Sequence, residues 1–134
     1  MSVIYRSAEQ RDYAAIGRLF IEVGWEHRVG DLSRFEKMIT GATRTVVALE
    51  GDRLVGFGRA LTDGASNGYI STLAVARDCQ RQGIGRQLVA RLMDPAAPHG
   101  SMTWVLRSAP GSEGFWQKIG FRPSTCAMEI VRTH

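Results

Sequence analysis

The chain has 134 residues, 44% of them hydrophobic and 22% charged, which suits one ordinary folded domain and is too little for two. No apolar run approaches the roughly 20 residues of a membrane span, and the N-terminal segment lacks a signal peptide's apolar stretch, so we expect a single cytoplasmic domain over residues 1–134. The formal net charge of +4 rests almost entirely on arginines spread along the chain, which favours a small anionic ligand and argues against nucleic acid.

The first half of the chain predicts two helices followed by a β-hairpin. Residues 7–10, Ser-Ala-Glu-Gln, have the pattern of a capping box and start a first helix. Asp31 can cap a second helix, which Gly41 ends. Apolar residues recur at helical spacing in both, namely Ile16, Leu19, Phe20 and Val23 in the first and Leu32, Phe35, Met38 and Ile39 in the second. Residues 45–49 and 54–61 are rich in β-forming residues and flank a Gly51-Asp52 turn, which predicts an antiparallel hairpin.

The second half predicts a buried strand, a glycine loop and a helix, followed by shorter elements. Residues 69–75 are almost wholly apolar, which is typical of a strand that is buried on both faces and central in its sheet. The helix after the loop has Ile84, Leu88, Val89 and Leu92 on one side. We then expect a strand over residues 102–106, a short helix over 112–119 closed by Gly120, and a last strand over 125–131 with Cys126, Met128 and Ile130 on one face. This order of elements predicts an α+β fold with a mixed sheet.

The loop before that helix has the features of an anion site. Gly83 and Gly85 lie between a strand and a helix start, so the amides from Arg81 to Arg86 can point together at a ligand where the helix dipole is positive. Glycine reaches positive φ and lets a phosphate approach the backbone. A dinucleotide fingerprint would need a third glycine at Leu88, and no Walker A loop is present, which excludes both nucleotide motifs.

Two segments together resemble a known family. Residues 80–85, Gln-Arg-Gln-Gly-Ile-Gly, resemble the Gln/Arg-x-x-Gly-x-Gly/Ala signature of the GNAT superfamily of N-acetyltransferases, and residues 114–121, Gly-Phe-Trp-Gln-Lys-Ile-Gly-Phe, are similar to its late helix. The resemblance implies acetyl-CoA as cofactor and a mostly antiparallel sheet with helices on both faces. It also implies that loop amides hold the pyrophosphate and that a strand backbone pairs with the pantetheine arm. The cofactor-binding residues it implies are Leu73, Ala74, Val75, Arg81, Gln82, Gly83, Ile84, Gly85, Arg86 and Trp116.

The catalytic residues are less defined by the resemblance. Trp116 stands where relatives have a tyrosine acid, and an indole N–H is too weak an acid for that role, so we expect the thiolate to leave directly. Tyr69 is the candidate acid in its place. For the base we consider Glu26 and His27, in the loop where the family often builds its acceptor pocket. Three alternatives stay open for the base: Glu113, and water relayed from Ser71 or Thr72.

The remaining expectations concern the acceptor and partners. Residues 56–64 resemble small bacterial and plant plastid members that acetylate aromatic amines, which favours a small primary amine over a peptide or lysine amine. A non-catalytic acyl-CoA-binding or sensing domain is the alternative function, and a homodimer stays open. We expect no metal, because Cys79 and Cys126 lack zinc-ligand spacing and read as free thiols, and no nucleic-acid or membrane partner. His99 and His134 are expected at the surface.

Overall fold

In the computed structural model, which describes residues 2–93 and 102–131, strands form one sheet in chain order. They are β1 (Ile4–Arg6), β2 (Arg44–Glu50), β3 (Arg53–Thr62), β4 (Asn67–Val75) and β5 (Thr103–Leu106). The pairs β1–β2, β2–β3 and β3–β4 are antiparallel, whereas β4 and β5 are parallel. The predicted mixed, mostly antiparallel sheet is therefore confirmed.

Helices pack on both faces of this sheet, as predicted. They are α1 (Tyr13–Glu22), α2 (Leu32–Thr40), α3 (Ile84–Leu92) and α4 (Glu113–Ile119). Successive side chains of a strand point to opposite faces. The Phe57 ring centre lies 5.9 Å from that of Phe20 in α1, whereas a Cβ at the adjacent Gly56 would lie 3.1 Å from Leu88 in α3. No helix that the structure describes is long and apolar enough to cross a membrane.

Close packing of α3 on the sheet depends on two glycines of β3. A Cβ at Gly58 would lie 2.8 Å from a Leu92 methyl carbon, and one at Gly56 would lie within 3.2 Å of α3 side chains. The largest fully buried side chains come from both helix layers and the sheet between them, and are Phe20, Phe57, Ile16, Leu88, Leu92, Val47, Val55 and Val89. Both cysteines are free thiols, as predicted, with Cys79 buried and Cys126 exposed.

The structure confirms the predicted start of α2 and corrects the predicted start of α1. Asp31 caps α2, since its carboxylate accepts a hydrogen bond from the Arg34 N–H at 3.1 Å. The first helix begins later than the capping box at residues 7–10 predicts. A 3₁₀ turn (Gln10–Asp12) precedes α1, and the Glu9 N–H donates to the Asp12 carboxylate at 2.7 Å. Asp12 therefore closes the start of the 3₁₀ turn, with Arg6 donating to its carboxylate at 2.7 Å, and its side chain makes no capping hydrogen bond to α1 itself.

The predicted last strand over residues 125–131 is wrong. The Ser124 hydroxyl accepts hydrogen bonds from the N–H groups of Cys126 and Ala127, at 3.2 and 3.0 Å, and turns the chain there. The apolar side chains that suggested a buried face project outward, with Met128 97% and Ile130 101% exposed. The alternating pattern is present, but no described strand pairs with it. His99 and His134 lie outside the described residues.

The strand predicted to be central and buried on both faces is β4, which is interior but only partly covered. It pairs with β3 along most of its length, whereas its pairing with β5 covers only residues 67–70. Beyond that point Ser71, Thr72, Leu73 and Val75 are half-buried. A β-bulge marks the change: Thr72 has φ of 78°, and the register with β3 shifts between Gly58 and Ala60.

The Asp12–Arg6 pair yields a prediction about stability. Asp12 is 6% exposed, and its hydrogen bonds to Arg6 hold the pKa of its carboxyl below the usual value. Because the pKa is lower in the folded than in the unfolded chain, the ionised carboxylate stabilises the fold above about pH 4, and this contribution is lost as pH falls through the folded pKa. Asp12→Asn should lower the free energy of unfolding at pH 7 by about 1–3 kcal/mol.

Urea denaturation at neutral and acidic pH measures this effect. The difference between Asp12→Asn and the unaltered protein should shrink steadily below pH 4, because the carboxylate then becomes neutral in both states. Glu36→Gln, which removes an exposed carboxylate of α2, serves as the control and should have little effect. A loss of the same size at pH 7 and pH 2 would show that charge plays no part.

Candidate functional site

A groove of about 2000 Å³ lies where β4 and β5 separate. Its walls come from the second half of β4, the start of α3, α4 with the loop before it, and the segment between α1 and α2. The groove therefore brings together the loop predicted to hold a phosphate and the segment predicted to hold the acceptor. Within the described parts of the chain, no three His, Cys, Asp or Glu side chains are grouped so that they could hold a metal ion.

One wall of the groove is the free edge of β4. The Ala76 N–H donates to the Val55 carbonyl at 2.8 Å, and backbone groups alternate in direction along a strand. The N–H and C=O groups of Val75 and Leu73 therefore point away from β3 and toward the groove, which both residues line. The Val75 carbonyl accepts a hydrogen bond from the Gln80 side chain at 3.1 Å. By the same alternation Ala74 directs its backbone to β3, and it is 3% exposed.

The start of α3 forms the second wall. Gly83 is the N-cap in the left-handed conformation, with φ of 86°, and no side chain caps the helix. The first hydrogen bond of the helix runs from the Gln87 N–H to the Gly83 carbonyl at 3.1 Å, so the amides of Ile84, Gly85 and Arg86 have no partner within the helix. These donors lie at the positive end of the helix dipole, where an anion is favoured.

Side chains around these amides divide into two groups. Arg81 and Arg86 are exposed, and both line the groove. Arg81 itself has a positive φ, of 65°. Gln82 is exposed and is absent from the described lining, while the Ile84 side chain is 3% exposed and belongs to the core. The guanidinium groups thus add positive charge beside the amides, and the Ile84 side chain anchors the helix start.

The two glycines of the loop are required for different reasons. The expectation of a positive φ is correct for Gly83 and wrong for Gly85, which lies inside α3 with ordinary helical backbone. A Cβ at Gly85 would lie 3.1 Å from ring carbons of Phe115. Gly85 therefore allows α4 to pack closely on the start of α3, whereas Gly83 provides the turn.

Trp116 belongs both to the core and to the lining of the groove. It is only 9% exposed, and its ring makes edge contacts with Phe115 and Phe121 at centroid distances of 4.9 and 5.4 Å. It also lines the groove. It is therefore a core aromatic residue of α4 with part of its surface turned toward the site.

The structure separates the catalytic candidates. His27 lies in a 3₁₀ turn (Glu26–Arg28) and lines the groove, as does the half-buried Tyr69 of β4. Glu26 and Glu113 are exposed and are not among the described residues of the lining. Ser71 and Thr72, the alternatives for a water relay, also line the groove. The structure thus brings His27 and Tyr69 to one site.

Sequence reasoning missed two arginines of this site. Arg28 donates to the Thr72 hydroxyl at 3.0 Å, and its guanidinium carbon lies 4.6 Å from the centre of the Trp25 ring. Arg59 donates from Nε to the Met38 carbonyl at 3.3 Å. An arginine within an otherwise apolar strand was the available signal for Arg59. For Arg28 the sequence offered no comparable signal, because its contact with β4 exists only in the folded chain.

The groove is strongly positive. The cationic residues among its described lining are Arg28, Arg34, Lys37, Arg59, Arg81, Arg86, Arg107 and Lys118, against the single carboxylate of Asp31. Burial lowers the pKa of the Arg59 guanidinium, and the charge of nearby Arg28 acts in the same direction. Burial likewise lowers the pKa of Arg28, with a smaller contribution from Arg107. Such a surplus favours anionic ligands along the whole groove.

Comparison with known proteins identifies the family. The model of the acetyltransferase (GNAT) domain family matches residues 15–130. The chain therefore belongs to the GNAT acetyltransferase family, which confirms the resemblance seen in the glycine loop and the late helix.

Individual relatives agree with this assignment. Serotonin N-acetyltransferase 2, chloroplastic, of Oryza sativa subsp. japonica is 28% identical over 120 residues, 88% of this chain, and the chain spans 60% of the length of that relative. A probable acetyltransferase from meticillin-resistant Staphylococcus aureus superposes with a TM-score of 0.80 at 23% identity, covering 98% of this chain and all of that one. An aminoglycoside acetyltransferase from an uncultured soil metagenomic sample superposes with a TM-score of 0.71 at 21% identity, covering 99% of this chain and 100% of that one. The solved structures share the fold, and the acceptors named for these relatives differ.

The contact between Gly85 and Phe115 can be tested by a double-mutant cycle. Alanine forms helix better than glycine by up to about 1 kcal/mol, but here its Cβ meets the ring. Gly85→Ala should therefore be more favourable in a Phe115→Leu background than in the unaltered protein, with a coupling free energy of about 0.5–1.5 kcal/mol in urea denaturation. Gly30→Ala, where no atom lies within 4 Å of the added Cβ, is the control and should be additive with Phe115→Leu. Additivity at Gly85 would contradict the packing.

Proposed function

We propose that residues 1–134 form a single N-acetyltransferase domain that moves acetyl from acetyl-CoA to a primary amine, by direct attack within a ternary complex. The observation that carries the proposal is the position of the free β4 edge beside the uncapped start of α3, in one groove. The edge offers amide and carbonyl groups to an extended arm, and the helix start offers amides to a phosphate. A pantetheine arm joined to a pyrophosphate has this combination.

The residues present fit that cofactor. The amides of Ile84, Gly85 and Arg86 would hold the pyrophosphate, with charge from Arg81 and Arg86. Leu73 and Val75 would pair with the pantetheine amides in the manner of an added strand, because their backbone groups point into the groove. Gln82 is absent from the described lining of the groove, and Ala74 directs its backbone toward β3. The cofactor-binding roles predicted for these two residues therefore stay predictions.

When bound, acetyl-CoA supplies an acetyl group activated as a thioester, and the chain must stabilise the oxyanion that forms as the amine attacks. A backbone N–H aimed at the carbonyl oxygen serves this purpose in a site shielded from water. Of the neighbouring residues Leu73 and Ala74, Leu73 is the better placed to offer this N–H, because Ala74 directs its N–H to β3. The bulge at Thr72 places this part of the strand beside Arg28. We call this part of the groove its acceptor end.

The amine must also lose a proton. An amine with a pKa near ~10.4 is neutral in about one molecule in 2,500 at pH 7, which costs about 4.6 kcal/mol. We assign the proton relay to His27, directly or through water held at Ser71 or Thr72, since these side chains line the groove and Glu26 does not. Tyr69 is the alternative proton donor for the leaving group, and Trp116 would pack beside the cofactor from its place in the groove lining.

The acceptor is a small primary amine in this proposal, with a peptide or lysine amine as the second choice. The named acceptor of the rice relative supports a small amine, although the chain spans only 60% of that protein. A non-catalytic acyl-CoA-binding domain is the competing function. It is favoured by the tryptophan at position 116, where relatives have a tyrosine acid. Release of thiol from acetyl-CoA in the presence of a panel of amines distinguishes the two functions.

The cofactor site is tested by two matched glycine substitutions. Gly83 and Gly64 both have positive φ, +86° and +73°, and neither has an atom within 4 Å of an added Cβ. Gly83→Ala and Gly64→Ala should each lose about 1–2 kcal/mol of unfolding free energy through backbone strain. Only Gly83→Ala should weaken acetyl-CoA binding in calorimetry, by about tenfold or more, because the strained turn displaces the amides. Equal affinity in both variants would reject the site.

The proton relay is tested by the pH dependence of turnover. His27→Ala should lower kcat/KM for the best amine several-fold at pH 7, with the deficit shrinking toward pH 9 as more of the amine becomes neutral. Glu26→Gln should have the smaller effect, because its side chain lies outside the described lining. Acetyl-CoA affinity should stay unchanged in both. A pH profile for His27→Ala that matches the unaltered protein would reject His27 as the proton relay.

A further inference from the structure

Two arginines meet at the acceptor end of the groove. Arg59 lies on β3 opposite the bulge, where the register between Gly58 and Ala60 accommodates an extra residue of β4. Arg28 reaches the same bulge from the segment between α1 and α2 and donates to the Thr72 hydroxyl at 3.0 Å. Both line the groove, as does Tyr69 beside them. Two guanidinium groups from separate elements therefore converge beside one strand distortion.

The hydrogen-bonding capacity of this pair is only partly used. Arg59 Nη1 is buried and has no hydrogen-bond partner among the described residues. A buried donor without a partner is unfavourable, and two nearby positive charges add repulsion. The folded protein therefore keeps two unfavourable contributions at this position, an unpartnered donor and the repulsion between two cations. An anionic ligand placed between the two guanidinium groups, both of which line the groove, would offset the repulsion between them.

Nearby carboxylates do not neutralise the pair in the part of the chain that the structure describes. Asp31 accepts a hydrogen bond from the Arg34 N–H as the cap of α2. Glu129 pairs with Arg107 at 2.9 Å, and that pair is exposed. Arg28 and Arg59 form no ion pair with either of them. The positive charge of the pair therefore remains available to a ligand.

The surroundings disfavour a cationic group at the same place. An aromatic face can attract a cation, but the guanidinium of Arg28 already lies over the Trp25 ring at 4.6 Å. A second cation there would meet this charge and that of Arg59. This end of the groove therefore favours an anionic group over a cationic one.

We propose that the acceptor amine carries a carboxylate, which Arg28 and Arg59 bind, so that the substrate class is amino acids rather than simple amines. The planar fork of an arginine matches the two oxygens of a carboxylate, and such charge-assisted pairs are stronger than neutral hydrogen bonds. The amino group of the substrate would then face the end of the β4 edge, near Leu73. This inference rests on the proposed function and narrows its acceptor.

Matched amines test the proposal, using the purified chain with saturating acetyl-CoA and thiol release as the readout. 5-Hydroxytryptophan and serotonin differ by one carboxylate, as do β-alanine and ethylamine. We expect kcat/KM to be higher for the carboxylate-bearing member of each pair by about tenfold to a hundredfold. 2-Aminoethylphosphonate, which has a phosphonate in place of the carboxylate of β-alanine, should be the poorer substrate of those two.

Arginine variants assign the preference to the pair. Arg59→Met and Arg28→Met each keep an unbranched apolar stem but remove the guanidinium group, and each should reduce the ratio of kcat/KM within a pair to about twofold or less. Arg18→Met, at an exposed position of α1 away from the groove, should keep the full ratio. The two variants together guard against a folding defect in either, and circular dichroism and acetyl-CoA affinity monitor folding.

The outcomes separate this inference from the proposed function. Turnover of both members of each pair at equal kcat/KM, or faster turnover of serotonin and ethylamine, would overturn the carboxylate assignment and leave the acetyltransferase intact. A preference for the phosphonate over β-alanine would overturn it in favour of a phosphorylated acceptor. Failure of the unaltered chain to bind acetyl-CoA would instead remove the proposed function and the inference with it.

Discussion

The parting of β4 from β5 is the constraint on which the site depends. A strand inside a sheet normally has both edges satisfied, and its backbone is then unavailable to a ligand. Here β5 pairs only with residues 67–70, and the bulge at Thr72 turns the rest of β4 away. The exposed backbone of Leu73 and Val75 would be a poorly satisfied edge in the absence of a partner. The fold thus keeps an unfilled position in its sheet, and the groove is that position.

Several packing features maintain the opening. Glycines of β3 let α3 lie close on one face, which fixes its first turn beside the end of β4. Gly85 lets Phe115 approach that same turn, so α4 closes the opposite side. On the other face, Phe20 joins α1 to α2 through Phe35 and to the sheet through Phe57. The walls of the groove are therefore held by the core, and its inner surface combines apolar side chains with charged ones.

Features that depend on neighbouring residues could be predicted from the sequence, and features that depend on distant contacts could not. The cap at Asp31 and the turn at Gly83 follow from local backbone chemistry, and both are present. The loop and the late helix carried enough of the family pattern to indicate the fold.

The contact between Arg28 and Thr72 spans 44 residues, and nothing in either segment indicates it. Residues 125–131 show the opposite error, because an alternating pattern indicates a strand only if an edge is paired with it. The helical position of Gly85 was missed because a glycine can be selected by close packing as well as by backbone conformation.

Arg28 also connects two walls of the groove mechanically. It stacks on Trp25 in the segment that leads into α2 and holds the bulge of β4 through Thr72, so one side chain ties a connecting segment to the sheet. A ligand that draws this guanidinium toward itself must loosen the tie, and by thermodynamic linkage a looser tie favours the ligand. Binding at the acceptor end and the width of the groove are then coupled. Because Arg28 lies over the Trp25 ring, the environment of that indole would change when a ligand binds. The same residue that recognises a substrate can in this way set how tightly the site closes around it.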